Sequence, residues 1–437
     1  MRCVRNFCGM SGSPISSAFE SEEYQMTRMT VDGERLVRRL KELGAVGVDQ
    51  DGRLTRLAAT DADKAGRDLF VRWAKEAGLK VLVDRIGNIF AVYETPENSG
   101  TAPIMMGSHI DTVIDAGNFD GCYGVLAGLG IVETIMAEGI HLARPLVVAA
   151  FTNEEGVRFT PDMMGSLVYV GGMDAEVALQ AVSIDGKLLG YELERIGYAG
   201  KLDPELPAPE AYVELHIEQG PVLESLGMQI GVVEDLQGIS WQRITIDGVA
   251  NHAGTTPMDL RRDAGYAAAK IMEFVHERAM EYNTEMVGTV GSVHFEPNAI
   301  NVIPSRATLT VDLRSPKEER LLEAEAALAE ELTSISNALG VTARSEILAR
   351  TQPVQFCDDI VARIEQVAEL RGFKSVRITS GAGHDAQMMA RLCPTAMIFV
   401  PSAKGISHNP DEYTPDRDLI NGAHVLLDVV TDLAGKH

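Results

Sequence analysis

Cysteine is scarce in this chain. Five occur in 437 residues, at positions 3, 8, 122, 357 and 393, an odd and scattered set. Such a set excludes a disulfide framework and fits a reducing compartment, so the cytoplasm is the expected location. Basic charge is short as well: 39 Lys and Arg stand against 63 Asp and Glu, a formal net charge of −24, with no run of Lys or Arg. Nucleic acid is therefore not expected as a partner. No apolar run approaches the roughly 20 residues of a membrane span. The N-terminal stretch to Thr27 contains Arg2 and Arg5 but no continuous apolar segment, so neither a membrane association nor a secretory signal is expected.

What is present is an ordinary globular composition, 45% hydrophobic and 23% charged, on a chain long enough for about two to three domains. Periodic sequence starts at Val31, so residues 1–30 read as a disordered extension, with Met26 and Met29 as alternative starts. Residues 31–237 and 353–437 alternate short apolar runs with helix-spaced stretches, the pattern of an α/β domain with a mostly parallel central sheet. Between them the texture changes over residues 238–352. Strands at Trp241–Asp247, Thr289–Phe295, Ala307–Asp312 and Thr342–Leu348, with helices over Asp259–Glu281 and from Ser315-Pro316-Lys317-Glu318, give a β-α-β-β-α-β order. That order predicts an inserted ferredoxin-like α+β domain, with Ser315 as the cap of its second helix.

Residues that carry chemistry gather at the ends of the apolar runs. Pro103–Met106 leads into Gly107-Ser108-His109-Ile110-Asp111 and on to Asn118-Phe119-Asp120-Gly121. Leu146–Phe151 leads into Asn153-Glu154-Glu155-Gly156, and Ala211–Leu215 into His216-Ile217-Glu218-Gln219-Gly220. Ala396–Val400 leads into Ser407-His408 and Glu412. Each cluster alone is weak, because a lone histidine is commonly structural and Glu154-Glu155 could be a solvated loop. Together, His109, Asp120, Glu155, His216 and His408 fall on one sheet edge, where α/β folds bind ligands. Imidazoles and carboxylates without a thiolate suit a hydrolytic Zn or Mn centre. A carboxylate shared by two metals suits two-metal activation of water. Cys122 reads as a packing residue. His384, in Gly381-Ala382-Gly383-His384-Asp385, reads as part of a pocket wall rather than a ligand.

These motifs, in this order, resemble the amidase (hydantoinase/carbamoylase) branch of the M20 metallopeptidase family, over nearly the whole chain after about residue 30. The resemblance implies a zinc-peptidase-like catalytic domain with an inserted lid and dimerisation domain. It implies two divalent metal ions per subunit, Zn2+ first, with Mn2+, Co2+ or Ni2+ as alternatives. His109 and His216 would hold one ion, Glu155 and His408 the other, with Asp120 between them. Asp111 would be the carboxylate that orients His109, and Glu154 the general base. From the inserted domain, His252 would reach the neighbouring subunit's site in a homodimer to stabilise the oxyanion. Asn301 and Arg314 would clamp the substrate, and Gln219 and Gly383 would line it. Arg314 suits a substrate carboxylate, although its spacing equally allows an ion pair at a helix start.

The implied activity is hydrolysis of the ureido C–N bond of an N-carbamoyl-L-amino acid to the amino acid, ammonia and carbon dioxide. The partner is thus a small ureido molecule bearing a carboxylate. Allantoate and β-ureidopropionate present the same groups and stand as alternatives. Aminopeptidase activity is a weaker one, because His216 stands where peptidase members often carry an acidic residue. A non-catalytic binding protein of this fold is opposed by the intact Glu154 and ligand set.

Overall fold

The computed structural model describes residues 29–201 and 208–435. In chain order the helices are α1 (Gly33–Gly44), α2 (Asp61–Glu76), α3 (Cys122–Ala137), α4 (Met164–Tyr169), α5 (Ala175–Leu179), α6 (Leu189–Ile196), α7 (Val222–Leu226), α8 (Ala264–Glu281), α9 (Glu318–Leu339), α10 (Asp358–Leu370), α11 (Asp385–Met389) and α12 (Asp416–Ala434). The strands are β1 (Lys80–Val83), β2 (Ile89–Tyr93), β3 (Ile104–His109), β4 (Leu146–Phe151), β5 (Ala211–Ile217), β6 (Ile230–Leu236), β7 (Gly238–Asp247), β8 (Val287–Glu296), β9 (Arg306–Ser315), β10 (Thr342–Thr351), β11 (Val354–Gln355), β12 (Ser375–Ser380) and β13 (Thr395–Val400).

Every residue of β3, β4, β5 and β13 is buried, as the continuous apolar runs require of strands covered on both faces. The main sheet has the order β1-β2-β4-β3-β5-β13-β6-β11, with β12 also paired to β6. Its centre, β4-β3-β5-β13, is parallel, while β1, β2, β6 and β11 add antiparallel flanks. Successive residues of β5 face opposite ways. Leu215 lies against Gly422 of α12, whereas Glu214 accepts the Ala386 N–H of α11. Helices therefore cover both faces, and the parallel centre brings four strand C-termini to one edge.

The second unit is an antiparallel sheet of order β10-β7-β9-β8. Helices α8 and α9 pack on it, around an apolar cluster that includes Ile244, Ile271, Leu309 and Leu328. This is the β-α-β-β-α-β arrangement expected of the insert. It joins the main sheet through Gln237, between β6 and β7, and residues 352–353, between β10 and β11.

Some expected boundaries move. Ser315 does not cap a helix: it ends β9 opposite Gly238, and its Oγ donates to the Glu285 carbonyl at 2.7 Å. Helix α9 starts at Glu318 with no side-chain cap. Helix α8 starts at Ala264 rather than 259, because Asp263 caps it through the N–H groups of Gly265 and Tyr266. Of the extension expected over 1–30, residues 1–28 lie outside the described residues, and Met29 packs against the main core. Among the described residues no helix is long and apolar enough to cross a membrane.

Candidate metal centre

The four strand ends deliver the cluster. His109 is the last residue of β3, His216 lies on β5, Glu154 and Glu155 follow β4, and His408 sits in the loop after β13. Asp120 stands two residues before the first residue of α3. The residue between them, Gly121, has φ +64°, and a Cβ there would come within 2.4 Å of His109 Nε2, so only glycine lets this helix start beside the imidazole. Asn153, Gln219 and His408 also adopt left-handed backbone conformations. Such conformations cluster where a fold over-determines its site.

Asp120 is the centre of the arrangement. Its Oδ1 lies 3.1 Å from His216 Nε2 and 3.5 Å from His109 Nε2. Its Oδ2 lies 3.2 Å from His408 Nε2 and accepts a 2.8 Å hydrogen bond from Gln219 Nε2. Glu155 Oε2 is 3.6 Å from His408 Nε2, and Glu154 Oε2 is 3.4 Å from His109 Nε2. Among the described residues three groups of potential ligand atoms lie within 4.8 Å of one another: His109-Asp120-His216 and Asp120-Glu155-His408, which share Asp120, and Glu214-His216-His384, which shares His216 with the first.

This donor set fits two divalent cations. His109 Nδ1 donates to the Asp111 carbonyl at 2.9 Å and His216 Nδ1 to the Ile217 carbonyl at 2.8 Å, which leaves both Nε2 atoms facing the cluster, where His216 Nε2 accepts the Gly121 N–H at 3.0 Å. Glu155 Oε1 is buried with no hydrogen-bond partner among the described residues. Asp111 departs from its expected role: its carboxylate Oδ1 is 4.0 Å from His109 Nδ1, too far for a hydrogen bond, and the main-chain carbonyl holds the ring instead.

Without metal, protons balance these carboxylates. Burial raises the Asp120 carboxyl, but hydrogen bonds with His109, His216 and His408 overcome it and hold its pKa well below the usual range. Burial opposes a charge on His109, yet Glu154, Asp120 and Asp111 hold its pKa well above the usual value. The hydrogen bond with Asp120 lifts His408 to about 9. Burial lifts Glu155 to about 8, and Glu154 well above a normal carboxyl.

The remaining expected residues fall into two other places. Arg314, on β9, pairs with Asp312 at 2.9 Å, lies over the Trp241 ring and donates from Nη1 to the Gly381 carbonyl at 3.0 Å. That bond ties it to the glycine-rich loop holding Gly383. The helix-start ion pair is thus not formed, because Arg314 sits inside a strand and Asp312 shares that strand. His252 and Asn301 are exposed neighbours: the Ala253 N–H donates to the Asn301 carbonyl, and His252 bridges to Val302. Their hydrogen bonds stay within the second unit.

Two further groups escaped the sequence reading. Glu214 accepts hydrogen bonds from Ser108 at 2.6 Å, Tyr212 at 3.1 Å and the Ala386 N–H at 2.8 Å, behind His216. Its only signal was a carboxylate inside an apolar strand. Arg56 is fully buried and donates to the carbonyls of Ile110, Leu43 and Val46 and to Cys122 Sγ. Cys122 is buried, as expected of a packing residue. His384 is buried with its ring centroid 4.5 Å from that of His216, and its Nε2 has no partner among the described residues.

The chain resembles known proteins over most of its length. An N-carbamoyl-L-amino-acid amidohydrolase of Rhizobium meliloti is 40% identical over 92% of this chain and 97% of the relative. An allantoate amidohydrolase of Escherichia coli (strain K12) is 33% identical over 90% of this chain and 96% of the relative. The solved structure of an amidase of the hydantoinase/carbamoylase family from Burkholderia multivorans superposes with a TM-score of 0.91 at 42% identity, covering 93% of this chain and 99% of that one. Residues 105–432 match the model of peptidase family M20/M25/M40, and the chain belongs to that family.

Proposed function

We propose that this chain is a metal-dependent amidohydrolase that cleaves the ureido C–N bond of N-carbamoyl-L-amino acids, giving the amino acid, ammonia and carbon dioxide. The observation that carries this reading is Asp120 itself, with three imidazole Nε2 atoms converging on its two oxygens. The name of the R. meliloti relative supports the substrate class. Residues 31–237 and 353–437 form the catalytic domain in this reading, and 238–352 the lid and dimerisation domain.

His109, Asp120 and His216 would hold one ion and Asp120, Glu155 and His408 the other; Zn2+ heads the candidates, with Mn2+, Co2+ or Ni2+ behind it. When bound, such a pair polarises the scissile carbonyl and activates a water. Glu154 takes the proton of that water and returns it to the leaving nitrogen; burial, which raises its pKa, suits it to carry a proton near neutral pH. Gln219 is anchored by its amide N–H on Asp120, and its buried Oε1 has no partner among the described residues. That oxygen accepts a ureido N–H, and the backbone at Gly383 lines the same pocket. Arg314 exchanges the Gly381 carbonyl for the substrate carboxylate, and Asn301, beside His252, supplies the other half of the clamp. His252 serves the oxyanion of a partner's site, which makes the active form a homodimer. Scattered free cysteines support a cytoplasmic location.

Allantoate is the second reading, supported by the E. coli relative's name. The test is ammonia release from purified, metal-loaded protein against N-carbamoyl amino acids of both hands, allantoate, β-ureidopropionate and dipeptides. Turnover of the L-carbamoyl compounds is expected. Turnover of dipeptides alone contradicts the amidohydrolase reading.

A further inference from the structure

Glu412 closes the stretch Ser407-His408-Asn409-Pro410-Asp411-Glu412 yet belongs to none of the three groups of potential ligands. Its side chain is buried and its two oxygens turn back toward the cluster. Oε1 accepts the N–H of Phe119 at 2.9 Å and that of Asp120 at 3.3 Å. Oε2 accepts the Ser407 hydroxyl at 2.8 Å, one residue before His408. One carboxylate therefore fastens the backbone of Asp120 to a loop 292 positions away in sequence.

Residue 117 leaves room for this bond. A Cβ on Gly117 would come 2.3 Å from both Cβ and Oε1 of Glu412, so any side chain there displaces the carboxylate. Gly117 is not among the residues of positive φ, so alanine at 117 meets Glu412 without backbone strain.

The two ligand groups that share Asp120 differ in how much the fold supports them. The side chains of His109 and His216 are 2% and 1% exposed, walled in on β3 and β5. His408 is 51% exposed, on a loop, with φ +52°. Glu412 holds the residue before His408, Ser407.

We propose that Glu412 is a positioning residue that staples the Asp120 and His408 loops together and sets how firmly the outer metal ion, on Asp120, Glu155 and His408, is held. Gly117 supplies the space it needs. This rests on the two-metal reading above, and wild-type metal content separates the two claims.

The test compares wild type with Glu412→Ala, Gly117→Ala and Glu412→Gln. Each protein is stripped, reloaded with excess Zn2+, desalted and analysed for bound zinc, then challenged with a chelator while release is followed. Circular dichroism and thermal melts report the fold. Wild type is expected to keep two ions per chain and release them in a fast and a slow phase. Glu412→Ala and Gly117→Ala are expected to keep the slow ion and to lose the other about 10- to 100-fold more readily, the usual cost of removing a ligand's supporting partner. Glu412→Gln should behave close to wild type, since its carbonyl oxygen accepts both N–H groups and its amide donates to Ser407. Two ions held at the wild-type rates in both Glu412→Ala and Gly117→Ala overturn the staple. Equal loss of both ions, or loss of the fold in both variants, assigns Glu412 to general stability and overturns it too. A wild-type chain that binds fewer than two ions overturns the two-metal reading and the staple with it.

Discussion

Asp111 grips His109 with its backbone and the Glu154-Glu155 loop with its side chain. Its carbonyl receives the His109 Nδ1 proton at 2.9 Å, while Oδ1 and Oδ2 accept the N–H groups of Glu154 at 3.3 Å and Glu155 at 3.4 Å. Asp111→Ala therefore keeps the bond that sets the His109 tautomer and loosens the two glutamates. Activity is expected to fall about 10- to 100-fold while the ion on His109 and His216 is retained. Two N–H groups left unpaired in a buried loop should also cost about 1–3 kcal/mol of stability. Metal analysis of the variant decides: loss of the inner ion first would show that the carboxylate, after all, orients His109.

Metal binding and pH are linked through His408 and Glu155. In the metal-free chain His408 stands at about 9 rather than 6.5, and Glu155 at about 8 rather than 4.5. Both groups hold more protons folded than unfolded, so their contribution to metal-free stability is present at low pH. It is lost as pH rises through 4.5 to about 8 for Glu155 and 6.5 to about 9 for His408. A cation must displace these protons, so affinity climbs over the same window. Melting temperatures between about pH 6 and pH 8, with chelator and with saturating Zn2+, check this. The metal-free Tm should fall with rising pH and the zinc-induced increment should grow; an increment that shrinks contradicts the linkage.

Arg314 offers a clean separation of binding from stability. Its pair with Asp312 is partly exposed, 26% and 30%, and such pairs contribute about 0–1 kcal/mol. Arg314→Lys keeps the charge and loses the planar fork. KM for a carbamoyl amino acid is expected to rise with Tm almost unchanged. An unaltered KM with a lowered Tm would make Arg314 a structural tie to Gly381 and nothing more.

Much of the site was legible because the strands that carry it are buried on both faces. Apolar runs such as Leu146–Phe151 stand out in the sequence, and the His or Glu that ends each run is conspicuous against them. Strand β6 was missed: no strand was expected between His216 and Trp241, and only Gln237 separates β6 from β7. Ser315-Pro316 reads locally as a helix start, but the pairing of Ser315 with Gly238 keeps it in a strand. Glu412 was visible as a motif residue and silent as to role, because its partners, Phe119 and Asp120, meet it only in the folded chain.

The homodimer claim is open to complementation. Glu154→Gln alone should keep its metal and lose roughly 10²-fold or more of kcat, the scale of general acid-base catalysis. His252→Ala should also be impaired. Co-expressed, the two variants form about half mixed dimers, each with one intact site in two, so activity should return to roughly a quarter of wild type. Activity no greater than the sum of the two variants would place His252 in its own chain's site.

The most direct measurement is ammonia release from an N-carbamoyl-L-amino acid as Zn2+ is titrated into the stripped protein. Activity is expected to be near zero without metal, to rise with added ion and to plateau at two equivalents per chain, with nothing further gained beyond that. Full activity in the chelated protein, or a plateau with no ammonia released at two bound ions, would contradict the two-metal amidohydrolase.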